Sequence, residues 1–224
     1  WTEIDLVHVF STDMRNYFLL NALPEDVPLV ISPVIDTRRA HHVLRAFSAL
    51  SRRLPKQVLT SYKSHVMAFQ KADAIIIPWP RERELLQKGV GVASDKICHI
   101  PNGVDPKFLN ATPDLFVQKH GLKDFVLYVG HIGNGRKNLI RFLHVAGELA
   151  PVEFVLVGPI LETPLAQETL ALAGRYDNVH ILGRLPEDEL ISAYSACDVL
   201  ALPSLIEGTG LVLLEAGLAG AKIV

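Results

Sequence analysis

From residue 122 onward, apolar and polar positions follow two alternating patterns. Short aliphatic or β-branched runs of strand length are separated by stretches whose apolar residues recur every three or four positions. Residues 125–130 read as a strand, and 138–149 as a helix with Leu139, Phe142, Leu143 and Ala146 on one face. Further strands are predicted at 154–158, 178–182 and 198–203, and helices at 164–175 and 186–196. The second of these helices opens with Pro186, then Glu187, Asp188 and Glu189, a composition that suits the positive end of a helix. A helix over 210–218 and a strand over 222–224 complete the series. Strand and helix in strict alternation predict right-handed crossovers around a buried parallel sheet.

The first hundred residues are less regular. Strands are predicted at 4–10, 28–32, 73–78 and 96–101, with helices at 41–54, 58–71 and 81–88. This half also reads as α/β. The run Asn102-Gly103-Val104-Asp105-Pro106 is dense in turn formers and marks the boundary, giving an amino-terminal domain over 1–105 and a carboxyl-terminal one over 106–224. Val224 falls inside a predicted strand, so the chain is expected to be a piece of a longer protein.

Composition narrows the function. With 22 basic and 24 acidic residues and a net charge of -2, the chain has no basic excess to hold nucleic acid. Basic clusters at Arg38-Arg39, at Arg52-Arg53 with Lys56, and at Arg81 with Arg83 read as solvated faces, the alternative being a membrane or acidic-substrate surface. Cys98 and Cys197 are the only cysteines, and neither has a neighbour at metal-ligand spacing, which fits a reducing cytoplasm and no metal site. No apolar run approaches the roughly 20 residues that span a bilayer, and no cleavable signal is visible. The start at Trp1 is compatible with a removed leader.

Two loops carry the candidate chemistry. The first, Gly130-His131-Ile132-Gly133-Asn134-Gly135-Arg136-Lys137, follows a strand and enters a helix, where α/β sheets bind anions. It misses the Walker pattern, because Gly130 and Gly135 are followed by Arg136, Lys137 and Asn138. It also misses the dinucleotide pattern, since its glycine order is reversed and the next strand ends at Gly158-Pro159 rather than in an acid. Two readings remain: a loop delivering Arg136 and Lys137 to a negatively charged group, or a plain turn with solvated bases.

The second loop lies between Glu207 and Glu215. Gly208, Thr209 and Gly210 precede a nearly uncharged helix and offer free backbone N–H groups to a phosphate or to sugar oxygens. Glu215, flanked by Leu213, Leu214, Ala216 and Leu218, is costly to desolvate unless it is hydrogen-bonded. Carboxylates accept paired bonds from vicinal hydroxyls and repel phosphate, so bases and amides serve phosphates while acids serve sugars. The plainer alternative makes Glu207 a helix-start acid and pairs Glu215 with a lysine such as Lys222.

Several ordered motifs stand at matching separations: I-P-N-G-V-D at 100–105, Y-V-G…R-K-N at 128–138, F-V-L-V-G-P at 154–159 and N-V-H-I-L-G-R-L at 178–185. With D-V-L-A-L-P-S…E-G-T-G-L…L-L-E-A-G at 198–217, they resemble the retaining glycosyltransferases of family 4, also called group 1. The resemblance is strongest from Ile97 to Val224 and implies a GT-B fold of two Rossmann-like domains, each incomplete here: the first at its amino terminus, the second at its carboxyl terminus. It further implies hexose transfer from a UDP-, GDP- or ADP-sugar to a glycan or lipid-linked acceptor, in the cytoplasm or at the inner face of the membrane, without metal or resident cofactor. Peripheral membrane association of the protein and a swapped homo-oligomer of the piece are compatible with this.

By the same resemblance, Glu207 would act at the transferred sugar as the catalytic residue. Gly130, His131, Arg136 and Lys137 would hold the diphosphate. Gly208, Thr209, Gly210 and Leu211 would bind sugar and phosphate through their backbone, Glu215 would hold the ribose, and Gly183, Arg184 and Leu185 would lie near the base. His131 stands where the family often has Arg, and Thr209 replaces the usual aromatic. His8 is the acceptor-side candidate, read equally as a buried structural histidine, but the family's histidine on the next strand is missing from residues 29–36. Those departures keep two alternatives open: a non-catalytic nucleotide-sugar-binding subunit, and an epimerase or phosphorylase on the same architecture.

Overall fold

The computed structural model describes residues 3–11, 18–20, 22–33, 41–55 and 60–224. The chain divides into two compact units, residues 1–102 and 103–224, and the division falls within the turn-forming run 102–106.

In the first unit, β1 (Val7–Phe10), β2 (Leu29–Ser32), β3 (Ala74–Ile77) and β4 (Ile97–His99) form a parallel sheet in that order. Leu29, Ile31, Ile75 and Ile77 are buried at its centre. Helix α1 (His41–Arg53) turns Leu44, Ser48 and Ser51 inward. The Ser48 hydroxyl donates to Val90 O at 3.3 Å and the Arg52 guanidinium to the same oxygen at 2.6 Å. Helix α2 (Ser61–Lys71) is capped by Thr60, whose side chain accepts from Lys63 N. The helix predicted over 81–88 is instead α3 (Pro80–Glu84) running into a π-helical turn, Leu85–Val90.

The second unit is a five-stranded parallel sheet of order β7-β6-β5-β8-β9: Val179–Gly183, Phe154–Val157, Val126–Val129, Val199–Leu200 and Lys222–Ile223. Its central strands β5 and β6 are buried on both faces, as the middle of a parallel sheet requires. Leu127 and Val129 of β5 point into one core with Phe116, Phe125, Val155, Tyr194 and Leu200. Tyr128 points into the other with Phe142, Leu143, Phe154 and Leu156. Each fully buried side chain of this size contributes about 1.5–3 kcal/mol against exposure.

Five helices cross this sheet: α4 (Asp114–His120), α5 (Leu139–Glu148), α6 (Pro164–Ala173), α7 (Glu187–Ala196) and α8 (Leu211–Leu218). One helix is additional to those predicted, and one strand is shorter than predicted. Helix α4 was absent from the sequence reading; it ends at Gly121 with φ +69° and packs on α7. Glu189 lies in the first turn of α7, as expected, and is also buried, joining the two helices through Lys119 and through His120 Nε2 at 2.7 Å. Hydrogen bonds from Lys119 and then His120 hold its carboxyl below the ordinary range. The strand predicted over 198–203 is cut to two residues, because after Ala201 N donates to Leu127 O at 2.8 Å the chain reaches Pro203, which has no N–H to give.

Candidate functional site

Within the second sheet the chain is wound outward from β5 in both directions, β6 and β7 to one side, β8 and β9 to the other. A parallel sheet opens a crevice at the carboxyl ends of its strands where the winding reverses. Here that point lies between β5 and β8. The loops leaving those two strands are the two singled out by sequence, and they are tied together. Leu205 N donates to Arg136 O at 2.8 Å, and Asn138 Nδ2 to Pro203 O at 3.3 Å.

The first loop is shaped by short-range bonds. The Asn134 side chain accepts from Arg136 N at 3.1 Å and starts a single 3-10 turn, Gly135–Lys137. Asn138 follows at φ +55°, a left-handed conformation that asparagine tolerates, and the chain then enters α5. The turn leaves Arg136 and His131 exposed and Lys137 half-buried. Beside it the ends of β5, β6 and β7 carry Gly130, Gly158 and Gly183 in a row. Gly158 N donates to Gly183 O at 2.8 Å, and a Cβ on Gly158 would stand 2.1 Å from Gly130 O. Only glycine fits there, which leaves bare backbone along that edge.

Lys137 Nζ meets Glu207 Oε1 in a short ion pair, with side-chain exposures of 17% and 28%. The sequence reading gave these residues separate tasks; the structure joins them. An ammonium has three protons and a carboxylate about four acceptor positions, so the pair retains capacity on both sides for a ligand. Tyr128 lies behind it and donates to His131 O at 3.2 Å. Burial, and secondarily the Glu207 charge, pushes its phenol above the ordinary range.

Helix α8 starts at Gly210, φ +57°, with no side-chain cap, so the positive end of the helix carries its own N–H groups forward. Gly208 is exposed, Thr209 half-buried and Leu211 exposed. Glu215 is half-buried and accepts from the Tyr194 hydroxyl at 2.7 Å. Its pairing with Lys222, the plainer alternative above, is not realised. Lys222 instead pairs with Asp198 at 2.8 Å.

Gly183, Arg184 and Leu185 stand at the same edge of the sheet, at the end of β7, with β6 between them and β5. Arg184 is exposed and Leu185 packs partly on the core. His8, in the first unit, is exposed rather than buried; its Nε2 is 2.8 Å from Ser32 Oγ and its ring lies 4.2 Å from that of Phe10. Arg38, Arg39, Lys56 and residues 34–36 of the second-strand region lie outside the described residues. Among the described residues no cluster of His, Cys, Asp and Glu is placed to hold a metal ion, and no helix is long and apolar enough to cross a membrane.

Sequence reasoning missed Tyr194 and Asn138. A tyrosine on the apolar side of a predicted helix was a signal, since its hydroxyl needs a partner once buried. Asn138 stands in the sequence as a break in the Walker pattern, a helix start and the end of the R-K-N motif, none of which signals its bond to Pro203 O.

Residues 1–108 match the family described as Glycosyltransferase Family 4, and residues 123–224 the one described as Glycosyl transferases group 1. The serotype-specific mannosyltransferase WbdA of Escherichia coli is 29% identical over 177 residues, covering 71% of this chain and 21% of its own. Sucrose-phosphate synthase from Thermosynechococcus elongatus superposes with a TM-score of 0.71 at 21% identity, covering 98% of this chain and 55% of that one. The Anabaena protein HepE, solved in complex with UDP and glucose, gives 0.70 at 20% identity, over 98% of this chain and 58% of that one. At such identities the two structures establish likeness of fold. The chain thus spans about a fifth of WbdA and somewhat over half of each of these solved structures.

Proposed function

Because the chain belongs to the group 1, family 4 glycosyltransferases, we propose that it carries the donor site of a retaining hexosyltransferase. The donor is a UDP-, GDP- or ADP-sugar, and the acceptor a hydroxyl of a glycan or lipid-linked sugar. The observation that carries this reading is the meeting of Lys137 and Glu207 at the switch point between β5 and β8. A cation and a carboxylate side by side suit a ligand that is anionic at one end and rich in hydroxyls at the other, which describes a sugar diphosphate. HepE, with the same fold, was solved with UDP and glucose.

In this reading the ion pair opens as donor enters. Lys137, with Arg136 beside it, turns to diphosphate oxygens, and Glu207 accepts from hydroxyls of the sugar. The backbone of residues 208–211 and the start of α8 add positive potential at the phosphate. Cleavage of the anomeric C–O bond leaves negative charge on the departing nucleoside diphosphate, and these fixed donors stabilise it as it develops. The acceptor hydroxyl attacks the anomeric carbon from the face that the diphosphate leaves. Its proton passes to the departing phosphate oxygen, and the configuration is retained. Glu215 takes the ribose, and residues 183–185 lie toward the base.

The test is Glu207→Ala in the intact protein, assayed for release of nucleotide from UDP-, GDP- and ADP-sugars with acceptor present. Transfer should fall by roughly a hundredfold or more, the scale of losing one preorganised polar group at a reacting centre. Turnover at the wild-type rate would overturn the reading.

A further inference from the structure

Tyr194 is the residue through which α7 reaches the loop-side helix α8. Its side chain is fully buried, its ring packs edge-on against Phe108 at 5.9 Å, and its hydroxyl donates to Glu215 Oε2 at 2.7 Å. Burial first, and then the Glu215 carboxylate, pushes its phenol well above the ordinary range, so the hydroxyl stays protonated. The polarity of the bond is therefore fixed, with tyrosine donating and glutamate accepting. Lys222, the cation within reach in sequence, is engaged by Asp198. Among the described residues, Glu215 Oε1 has no hydrogen-bond partner.

A carboxylate held by one neutral donor, with no cation against it, keeps acceptor positions open on its other oxygen. Such a group accepts strongly from neutral hydroxyls and disfavours phosphate. The anchored oxygen also decides where the other one points, because the carboxylate is rigid and planar. We propose that Tyr194 is a positioning residue: by holding Oε2 of Glu215 it aims Oε1 at the ribose hydroxyls of the donor, and so makes the site selective for ribonucleotides over their deoxy forms. This rests on the donor reading above. Its force comes from the geometry of α7 and α8, and Tyr194 itself touches no ligand.

The experiment is calorimetric titration of the intact protein with UDP, GDP and ADP, followed by the 2′,3′-dideoxy form of whichever binds most tightly. Wild type should prefer the ribonucleotide by about tenfold or more, as a site with a fixed, half-buried acceptor discriminates against a ligand lacking the donor. In Tyr194→Phe that preference should shrink by about fivefold, while the dideoxy nucleotide binds as it does to wild type. A hydroxyl of merely structural importance would instead lower both affinities together and leave their ratio unchanged. An unchanged ratio in Tyr194→Phe overturns the proposal and leaves the donor reading intact. So does a wild-type protein that binds nucleotide without discriminating. A wild-type protein that binds none of the three overturns both. Should Tyr194→Phe fail to fold, 3-fluorotyrosine at position 194 carries the test: its stronger donor should raise the ratio, and an unchanged ratio overturns the proposal.

Discussion

Lys137 is drawn toward two partners of opposite kind. In the structure its ammonium is neutralised by Glu207 across 70 positions of sequence; in the proposed complex it serves a diphosphate. The exchange sets a specific expectation for Lys137→Ala. A nucleoside diphosphate loses a charge-assisted hydrogen bond, worth about 1.5–3 kcal/mol, so its affinity should fall between tenfold and a hundredfold. The free nucleoside, which has no phosphate, should bind within about twofold of wild type. Calorimetry with both ligands checks this, and equal losses for the two would remove Lys137 from the phosphate subsite. The residues of this site were legible in the sequence one at a time, because an acid in an apolar helix and two bases at a strand end are local anomalies. Their pairing was not legible. Whether Glu207 meets Lys137, or Glu215 meets Lys222 or Tyr194, depends on which strands become neighbours, and nothing local encodes that β5 pairs with β8.

Among the elements, the strands in the middle of the second sheet match their predicted positions to within one or two residues, since a run such as Phe154–Val157 buried on both faces has no other packing open to it. The mismatches occur where a single residue or a distant partner decides. Pro203 ends the ladder of β8, and α4 gains its support from Lys119, His120 and Phe116 meeting Glu189 and Ser192 of α7. The third, α3 with its π-helical turn, contains Glu82, a buried acid with Oε2 unpartnered among the described residues. Burial pushes its carboxyl up to about 7. Between the ordinary carboxylate range and that value the folded state holds a proton that the unfolded chain has released. Stability is therefore greatest below about pH 4.5 as far as this group is concerned, and declines as pH rises toward 7. Glu82→Gln cannot ionise. It should gain about 1 kcal/mol or more over wild type at pH 8 and nothing near pH 4.5, read from denaturant unfolding across that range. A difference independent of pH would mean that the carboxyl is ionised in the folded protein.

Across the whole molecule, each unit has its own core: residues between Val9 and Ile97 build the first, and the two clusters flanking the second sheet lie between Val104 and Ala221. Cores of this kind confer separate local stabilities, and a ligand adds stability where its contacts are. The proposed donor contacts all belong to the second unit, on the loops leaving β5, β7 and β8 and on α8. Nucleoside diphosphate at a hundred times its dissociation constant should stabilise that unit by about 2.7 kcal/mol. In hydrogen exchange, protection should then rise across residues 126–138 and 199–215, together with the sheet they extend. The strands Leu29–Ser32 and Ala74–Ile77 of the first unit should exchange at unchanged rates. Protection appearing first in those strands would place the nucleotide on the other sheet. The switch point would then not be the nucleotide site, although the sheet order β1-β2-β3-β4 offers no reversal among its described strands, whereas β7-β6-β5-β8-β9 offers one at the point where Lys137 and Glu207 meet.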